Sequence, residues 1–192
     1  MYSLYIDTHD RTVLIILFKD GKILTKNEIN SLNKHSEIAL PAIVQVLEQN
    51  NLEINNIKEI IVVNGPGSFT GVRIAVTISK TLAYCLNIPI KVIDALTVIA
   101  INDKRDKKIV AIEDRNGAFV GVFNDSYEQL EDFVYLNKSV YVEYKENNEV
   151  LTDIEVDYEK VYDYAKSLEP LNPHDIKPLY IKGISALNDK KN

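Results

Sequence analysis

Sulfur and indole side chains are almost missing from this chain, which has one cysteine, one methionine and no tryptophan. The single cysteine, Cys85, excludes an internal disulfide, and its apolar helical surroundings predict a small buried residue. No apolar run approaches the length that crosses a bilayer. Residues 1–7 lack the basic region of a signal peptide. We therefore expect a cytoplasmic protein with no membrane partner.

Histidine is also scarce, and the 22 lysine and arginine residues are outnumbered by 28 aspartate and glutamate residues. The three histidines, His9, His35 and His174, are scattered, and no His, Cys and carboxylate cluster has metal-ligand spacing, so we expect no metal site and no catalytic residue. The formal net charge is −6. Because a protein that holds nucleic acid alone usually presents a basic face, we expect any RNA to be contacted mainly through a partner.

The order of apolar segments indicates an α/β fold. The opening predicts three strands, at 2–8, 11–19 and 22–30, with a tight turn at Asp20-Gly21. Strands and helices then alternate, which predicts a mixed sheet flanked by helices. The later elements are predicted as a helix from about Ser36 to Gln49, a strand at 59–63, a helix at 72–86, a strand at 89–94, a short helix from Ala95 and a last helix at about 157–168.

A polar stretch at 103–108 predicts a division of the chain into 1–102 and 103–192. The second part opens as the first does, with two apolar runs joined by a turn at 115–117. Residues 125–155 show no clear pattern. We expect two lobes, the second smaller than the first.

The two long helices are apolar over a wide arc. At 100° per residue, apolar side chains cover roughly 220° of the helix at 72–86 and roughly 200° of the earlier one, whereas a helix on one sheet needs about 100°. Either each helix is buried on two sides within its own lobe, or a second face is covered by another chain. The residues expected at such a partner interface are Ala39, Ala42, Ile43, Val46, Val72, Ala75, Val76, Ser79, Leu82, Ala83 and Leu86.

A glycine-rich turn precedes the helix at 72–86, and it consists of Gly65, Pro66, Gly67, Ser68, Phe69, Thr70 and Gly71. Free N–H groups converge at such strand-to-helix turns and form anion sites in many folds. The turn lacks the Gly-Lys-Ser/Thr ending of a P-loop and the spacing of a dinucleotide fingerprint. From the residues alone, a structural turn and an anion site both remain open.

The run Gly65-Pro66-Gly67-Ser68-Phe69-Thr70-Gly71-Val72-Arg73-Ile74 resembles the signature of the TsaB (YeaZ) family. Members of that family are non-catalytic partners of TsaD in the threonylcarbamoyladenosine (t6A37) modification of ANN-decoding tRNAs. Ile6-Asp7-Thr8 resembles the family's opening strand and phosphate-loop remnant, and His35-Ser36-Glu37 resembles the start of its first helix. The likeness is strong over 1–95 and thin beyond.

The resemblance implies an actin-like ATPase fold with two ribonuclease-H-like lobes, the second reduced, and no enzymatic activity. It implies that the first two helices bind TsaD in a heterodimer, or a second copy in a homodimer when TsaD is absent. The ATPase TsaE is expected to join the pair. No cofactor is expected to bind tightly, with ATP or ADP held between subunits, and Asp7 and Thr8 are expected to be vestigial nucleotide contacts.

Two positions depart from the family pattern. The common Asp-Ala-Arg-x-Gly-Glu stretch corresponds to Glu113-Asp114-Arg115-Asn116-Gly117-Ala118, which loses the glutamate, and Asn64 stands where arginine is frequent. The alternative functions are an actin-like ATPase, a glycoprotease-type metallopeptidase and a structural homodimer outside tRNA modification. The missing i, i+4 histidine pair of TsaD argues against the peptidase, and missing lysine and acid clusters argue against phosphoryl transfer.

Overall fold

The computed structural model describes residues 1–31, 34–152 and 154–181. Within these ranges the chain alternates between strands and helices. The elements are β1 Tyr2–Asp7, β2 Thr12–Lys19, β3 Lys22–Asn30, α1 His35–Gln49, a 3-10 helix Ile54–Asn56, β4 Ile57–Val63, α2 Phe69–Leu86, β5 Ile90–Ile93, α3 Ala95–Ala100, β6 Lys108–Asp114, β7 Gly117–Phe123, β8 Gln129–Asn137, α4 Lys138–Asn147, β9 Val150–Leu151 and α5 Tyr158–Ser167. None of the described helices is both long and apolar enough to cross a membrane.

The three opening strands lie where the sequence predicts them. Asp20 and Gly21 both have positive φ, 52° and 84°, as a two-residue hairpin turn of type I′ requires. Helix α1 begins at His35, one residue before the predicted start at about Ser36, and its N-cap position, Lys34, forms no side-chain cap hydrogen bond. Helix α2 starts at Phe69, earlier than predicted.

The chain divides into two compact units, which differ from the predicted division at 102/103. Unit 1 comprises Met1–Ala95 and Asp157–Pro178, and unit 2 comprises Leu96–Val156 and, of the described residues that follow Pro178, 179–181. Helix α3 belongs with unit 2 because Leu96 and Ala100 pack into its core. Helix α5 returns to unit 1, where Tyr162 packs on Phe18 with ring centroids 4.7 Å apart.

Unit 1 is built on a five-stranded sheet with the order β3-β2-β1-β4-β5. The first three strands are antiparallel neighbours, and β1, β4 and β5 pair in parallel. Helices α1 and α2 cover one face, where their side chains share a core with Leu4, Ile15 and Val62. Helix α5 covers the other face, to which Tyr5 and Phe18 belong. Both sheet faces are therefore covered.

Unit 2 is built on a four-stranded sheet with the order β8-β7-β6-β9. Strands β6, β7 and β8 are antiparallel neighbours, and the short β9 pairs in parallel with β6. Leu96 of α3 packs with Phe119 and Phe123, while Tyr141 of α4 packs with Ala118 and Val120 of the same strand. Because side chains alternate along a strand, α3 and α4 lie on opposite faces of this sheet.

Candidate functional site

The glycine-rich turn joins the end of β4 to the start of α2. Gly65 and Gly67 have φ values of 105° and 154°, which side-chain-bearing residues rarely adopt. Ser68 is the N-cap of α2, and its Oγ accepts a hydrogen bond from the Gly71 N–H at 3.2 Å. This bond satisfies one of the N–H groups that a helix start leaves without a partner.

The turn lies directly against the backbone that follows β1. A Cβ placed on Gly71 would lie 1.9 Å from the carbonyl oxygen of Thr8, and one on Gly67 would lie 2.1 Å from that of His9. The same His9 oxygen accepts a hydrogen bond from the Ser68 N–H at 2.6 Å. The two glycines are thus required because two backbone segments meet there without side chains between them.

Asp7 and Thr8 both make internal hydrogen bonds at this junction. Thr8 is fully buried, and its hydroxyl donates to the carbonyl of Gly71 at 2.6 Å. Asp7 is 5% exposed, and its Oδ1 accepts from the His9 N–H at 2.9 Å and lies 2.7 Å from His9 Nδ1. The Tyr5 hydroxyl donates to Asp7 Oδ2 at 3.4 Å. These hydrogen bonds hold the β1–β2 turn, and the role of Asp7 and Thr8 as vestigial nucleotide contacts stays a prediction.

Burial and the carboxylate of Asp7 together shift the pKa values of the neighbouring side chains. Burial by itself lowers the pKa of His9, but the charge of Asp7 and the hydrogen bond to it raise that pKa more, so the net shift is upward. Burial, followed by the charge of Asp7, raises the pKa of Tyr158. Burial and Asp7 also raise the pKa of the Tyr5 hydroxyl, which stays protonated. The junction therefore favours a His9–Asp7 ion pair at mildly acidic pH.

The structure corrects the expected partner interface on α1 and α2. Most of those side chains face the sheet of unit 1 and are at most 3% exposed, so they are not accessible to another chain. The buried ones are Ala39, Ala42, Ile43, Val46, Val72, Ala75, Val76, Ser79 and Ala83. Leu82 and Leu86 are half-buried. For these positions, burial within the lobe explains the wide apolar arc.

A different set of apolar side chains remains accessible on α1. The amide of Asn27 on β3 donates to Gln45 Oε1 at 2.9 Å, so Gln45 marks the flank of α1 that faces the edge strand. Leu40 and Val44 lie about 140° and about 100° around the helix from Gln45. They are 51% and 46% exposed. They therefore occupy the flank away from β3, which is the side of α2.

Helix α2 presents its own apolar residues toward α1. Lys80 Nζ donates to the carbonyl oxygens of His174 at 3.4 Å and Ile176 at 3.3 Å, so Lys80 marks the flank that faces the segment 171–178. Ile74 and Ile78 lie about 120° and about 160° around the helix from Lys80, and both are half-buried. Together with Leu40 and Val44 they form what we call the α1–α2 surface. The sequence contained a signal for it, because all four belong to the apolar arcs.

Comparison with known proteins agrees with the resemblance of the turn. Residues 24–151 match the family model described as TsaD: tRNA N6-adenosine threonylcarbamoyltransferase. The tRNA threonylcarbamoyladenosine biosynthesis protein TsaB of Bacillus subtilis is 34% identical over 70% of this chain and 60% of its own length. The solved structure of YeaZ from Pseudomonas aeruginosa superposes with a TM-score of 0.74 at 20% identity, covering 93% of this chain and all of that one.

The chain belongs to the TsaB/YeaZ family of the actin-like ATPase superfamily. The expected fold class is thereby confirmed. The chain spans 60% and 45% of the first two curated TsaB proteins that it matches. An uncharacterised protein of Mycoplasma genitalium, MG208, matches over nearly its whole length, at 28% identity over 94% of this chain and 95% of its own.

The stretch that departs from the TsaB pattern forms the β6–β7 hairpin of unit 2. Glu113 accepts hydrogen bonds from the Tyr141 hydroxyl at 2.9 Å and from Lys145 Nζ at 3.0 Å. Ala118 is fully buried on β7. An open cleft of about 430 Å³ lies beside the hairpin, lined by Glu113, Asp114, Arg115, Gly117, Lys138, Tyr141, Val142, Lys145 and Glu146. The other departure, Asn64, donates to the Lys177 carbonyl at 3.2 Å.

The remaining candidate residues take varied positions. His35 is buried, with Nε2 lying 2.7 Å from the Asp10 carbonyl oxygen, as fits its expected place at a helix start. His174 is exposed. Cys85 is exposed on α2, so the prediction that it is a core residue is wrong. Across the described ranges, no three potential metal ligands from His, Cys, Asp and Glu form a group.

Proposed function

We propose that this chain is a non-catalytic subunit in the synthesis of threonylcarbamoyladenosine in tRNA, and that it acts by binding a TsaD-type protein. The observation that carries the proposal is the α1–α2 surface, which lies in the unit containing the signature turn. Four apolar side chains reach solvent there on two neighbouring helices. Clusters of this kind mark interaction sites when they are contiguous.

The non-catalytic part of the proposal is supported by the junction at Asp7. In active relatives of this fold, an acid at this place helps hold metal and nucleotide. Here Asp7 is nearly buried and bonded to His9, while Thr8 is buried against Gly71. A nucleotide, if the assembly holds one, is then bound between subunits, and a TsaE-type ATPase is the partner that would join it there.

A second copy of the chain competes for the same surface. The side chains that would meet TsaD are apolar, and they are equally suited to a self-associated dimer when TsaD is absent. Binding of TsaD then replaces the second copy, and the scaffold acts by stabilising the active arrangement of its partner. Such a scaffold is effective only if it binds that arrangement more tightly than the inactive one.

A charge on α1 tests the surface directly. Val44→Asp should leave the fold intact, because the side chain is 46% exposed, and should weaken both self-association and capture of TsaD by tenfold or more, since the carboxylate would be desolvated at the interface. Val140→Asp is the matched control, with the same exposure in unit 2. Sedimentation gives self-association, and affinity capture gives TsaD binding. Equal behaviour of the two variants would place the partner elsewhere.

Reconstitution tests the functional part. With TsaD, TsaE, the threonylcarbamoyl-adenylate synthase, threonine, bicarbonate, ATP and tRNA, omission of this chain should abolish multi-turnover modification. Asp7→Asn and His174→Gln should retain most of the rate, whereas Val44→Asp should not. If Asp7→Asn stopped modification while the complex still assembled, the chain would hold nucleotide or act in catalysis, and the scaffold proposal would be wrong.

A further inference from the structure

The cleft of unit 2 shares no residue with the surface that the proposed function uses. It is an open space of about 430 Å³ between the β6–β7 hairpin and helix α4. Small-ligand sites commonly have volumes of about 300–1,000 Å³. All residues that line the cleft lie in unit 2, whereas the α1–α2 surface belongs to unit 1. Binding of a ligand in the cleft can therefore be measured independently of TsaD binding.

Hydrogen bonds hold the two walls of the cleft together. The backbone N–H of Lys138, the first residue of α4, donates to the Asn116 carbonyl at the hairpin turn at 2.8 Å. Asp114 Oδ1 accepts from the Tyr135 hydroxyl at 2.7 Å and from the Asn116 N–H at 2.8 Å. The hairpin is thus fixed against the start of α4, and the cleft between them is preformed.

One acid and one lysine of the lining neutralise each other. Glu113 Oε1 accepts from Lys145 Nζ at 3.0 Å and from the Tyr141 hydroxyl at 2.9 Å. The hydrogen bond from Lys145, followed by that from Tyr141, lowers the pKa of Glu113, so this carboxylate stays ionised and paired at neutral pH. Lys145 lies seven residues after Lys138, which is about 10 Å further along the helix axis. The pair is therefore distant from the start of α4.

Two further cations lie at the hairpin end of the cleft. Arg115 is exposed in the hairpin turn, and Lys138 is exposed where α4 begins, beside Asn116. Neither side chain forms a hydrogen bond or an ion pair within the part of the chain that the structure describes. The adjacent acid, Asp114, is bonded to Tyr135 and Asn116 instead. An anion at this end of the cleft would meet two cations whose charged groups are available.

An exposed apolar side chain adjoins these cations. Val142 lines the cleft and is 51% exposed, one turn beyond Lys138 and about 40° around the helix from it. Glu146 lies one turn further along the same helix. The whole lining contains as many acids as cations. The cleft thus has a cationic end and an apolar middle, but no excess of positive charge.

From this arrangement we infer that the cleft binds a small monocarboxylate with a short aliphatic body. A guanidinium binds a carboxylate through two parallel hydrogen bonds and an ammonium can add another, so Arg115 and Lys138 together suit one carboxylate. The aliphatic body then covers Val142 and removes its apolar surface from water. Because the acids of the lining repel further negative groups, a polyphosphate or a nucleic acid fits poorly.

The test titrates the isotope-labelled full chain with pentanoate and follows the backbone amide shifts by NMR. The shifts should saturate with a Kd of about 1–10 mM, and the largest should lie at 113–117 and 138–146. Pentanamide has the same body without the charge, and acetate has the charge without the body. Each should bind about fivefold more weakly or less than that. ADP, a polyanion, should not bind more tightly than pentanoate.

Substitutions in the lining have matched controls in unit 2. Arg115→Gln and Lys138→Gln should each weaken pentanoate binding about threefold or more, because each removes a charge-assisted hydrogen bond. Lys104→Gln removes an exposed cation outside the lining and should leave the Kd unchanged. Val142→Ser should weaken binding about threefold through lost apolar contact. Val140→Ser, at a similarly exposed position of the same helix outside the lining, should not.

Several results would overturn the inference. Equal binding of pentanoate and pentanamide would show that no cation holds the carboxylate, and so would an unchanged Kd for both Arg115→Gln and Lys138→Gln. Tighter binding of ADP would make the cleft a site for polyanions. The absence of saturable shifts at about 20 mM pentanoate would also contradict it, since a Kd of about 1–10 mM requires most sites to be filled there.

Discussion

The two units bury their sheets to different degrees, although each begins with an antiparallel hairpin. In unit 1, strand β2 is buried at six consecutive positions, Val13 to Phe18, because helices cover both faces of the sheet. In unit 2, only the central strand β7 is buried throughout, and the edge strand β8 is exposed or half-buried at every position. Helices lie on both faces of the sheet in each unit, but in unit 2 they leave the edge strand β8 uncovered.

One ion pair from each unit illustrates the difference in burial. Unit 1 contains the signature turn, which is fixed by backbone contact, and one buried ion pair. Glu59 and Lys91 form an ion pair at 3.2 Å with side chains 8% and 9% exposed. In unit 2, the pair of Glu113 and Lys145 at 3.0 Å is about half exposed at both ends. We expect substitutions of similar chemistry to cost much more stability in unit 1.

The largest effect should follow a charge in the core of unit 1. Ala75 is fully buried on the side of α2 that faces the sheet, so Ala75→Glu must bury a carboxylate and a larger side chain, and we expect a loss of more than about 4 kcal/mol or failure to fold. Thr77→Glu, at an exposed position of the same helix, should change stability by less than about 0.5 kcal/mol. Urea unfolding with hydrogen-exchange mass spectrometry measures both. A stable, folded Ala75→Glu would mean that this face of α2 is accessible after all.

The two ion pairs give the next largest contrast. Lys91→Met leaves Glu59 buried without its cation and should cost about 3 kcal/mol or more. Lys145→Met should cost about 1 kcal/mol or less, because the exposed Glu113 is solvated by water. The double variant Glu59→Gln/Lys91→Met should recover part of the loss, since no charge is then left buried. Similar losses for the two lysine variants would show that burial does not distinguish the pairs.

Substitution of two glycines by alanine distinguishes a contact with the backbone from a contact with side chains. Gly71→Ala would place a Cβ 1.9 Å from the Thr8 carbonyl oxygen, and separating the two backbone segments should cost about 2–3 kcal/mol. Gly121→Ala in unit 2 would meet ring atoms of Phe123 and Phe133 at 2.9 Å, and these rings can shift. Its cost should be nearer 1 kcal/mol. Thermal unfolding of the two variants, together with hydrogen-exchange rates assigned to each unit, measures the two losses of stability. A larger loss for Gly121→Ala than for Gly71→Ala would contradict the prediction that the backbone contact is the more costly one to disturb.

The strands and helices of unit 1 could be predicted because their signals are local. The turn at Asp20-Gly21 and the apolar periodicity of α1 and α2 each determine one element. Which part of an apolar arc faces the sheet could not be predicted, because that depends on the positions of Gln45 and Lys80 relative to elements distant in sequence.

Unit 2 was harder to predict for a related physical reason. Strand β8 and helix α4 are largely exposed, so they lack the apolar periodicity that identifies buried elements. Helix α5 was recognised, but its membership of unit 1 depends on cover for Tyr5 and Phe18, a requirement of tertiary packing. The signature turn of unit 1 was easier to recognise, because Gly67 and Gly71 are each required by a close backbone contact.

The smallest expected effect concerns pH, and it should be confined to unit 1 because all three histidines lie there. Burial lowers the pKa of His9 and Asp7 raises it more, so the folded-state pKa lies above the value of about 6.5 expected when the chain is unfolded. The folded chain then binds this proton more tightly. The resulting stabilisation is fully present below pH 6.5 or so and is lost as pH rises through the folded-state pKa.

This stabilisation can be measured as the protection of the backbone amides of each unit against hydrogen exchange between about pH 5.5 and 8, corrected for intrinsic exchange rates. Protection of unit 1 should decrease over that range, and protection of unit 2 should stay nearly constant. Asp7→Asn should remove most of the decrease because the carboxylate beside His9 is lost, whereas Asp10→Asn, a weaker contributor, should retain it. Unit 2 contains no histidine. If its exchange protection decreased as much as that of unit 1, the pH effect would not arise from the His9–Asp7 pair.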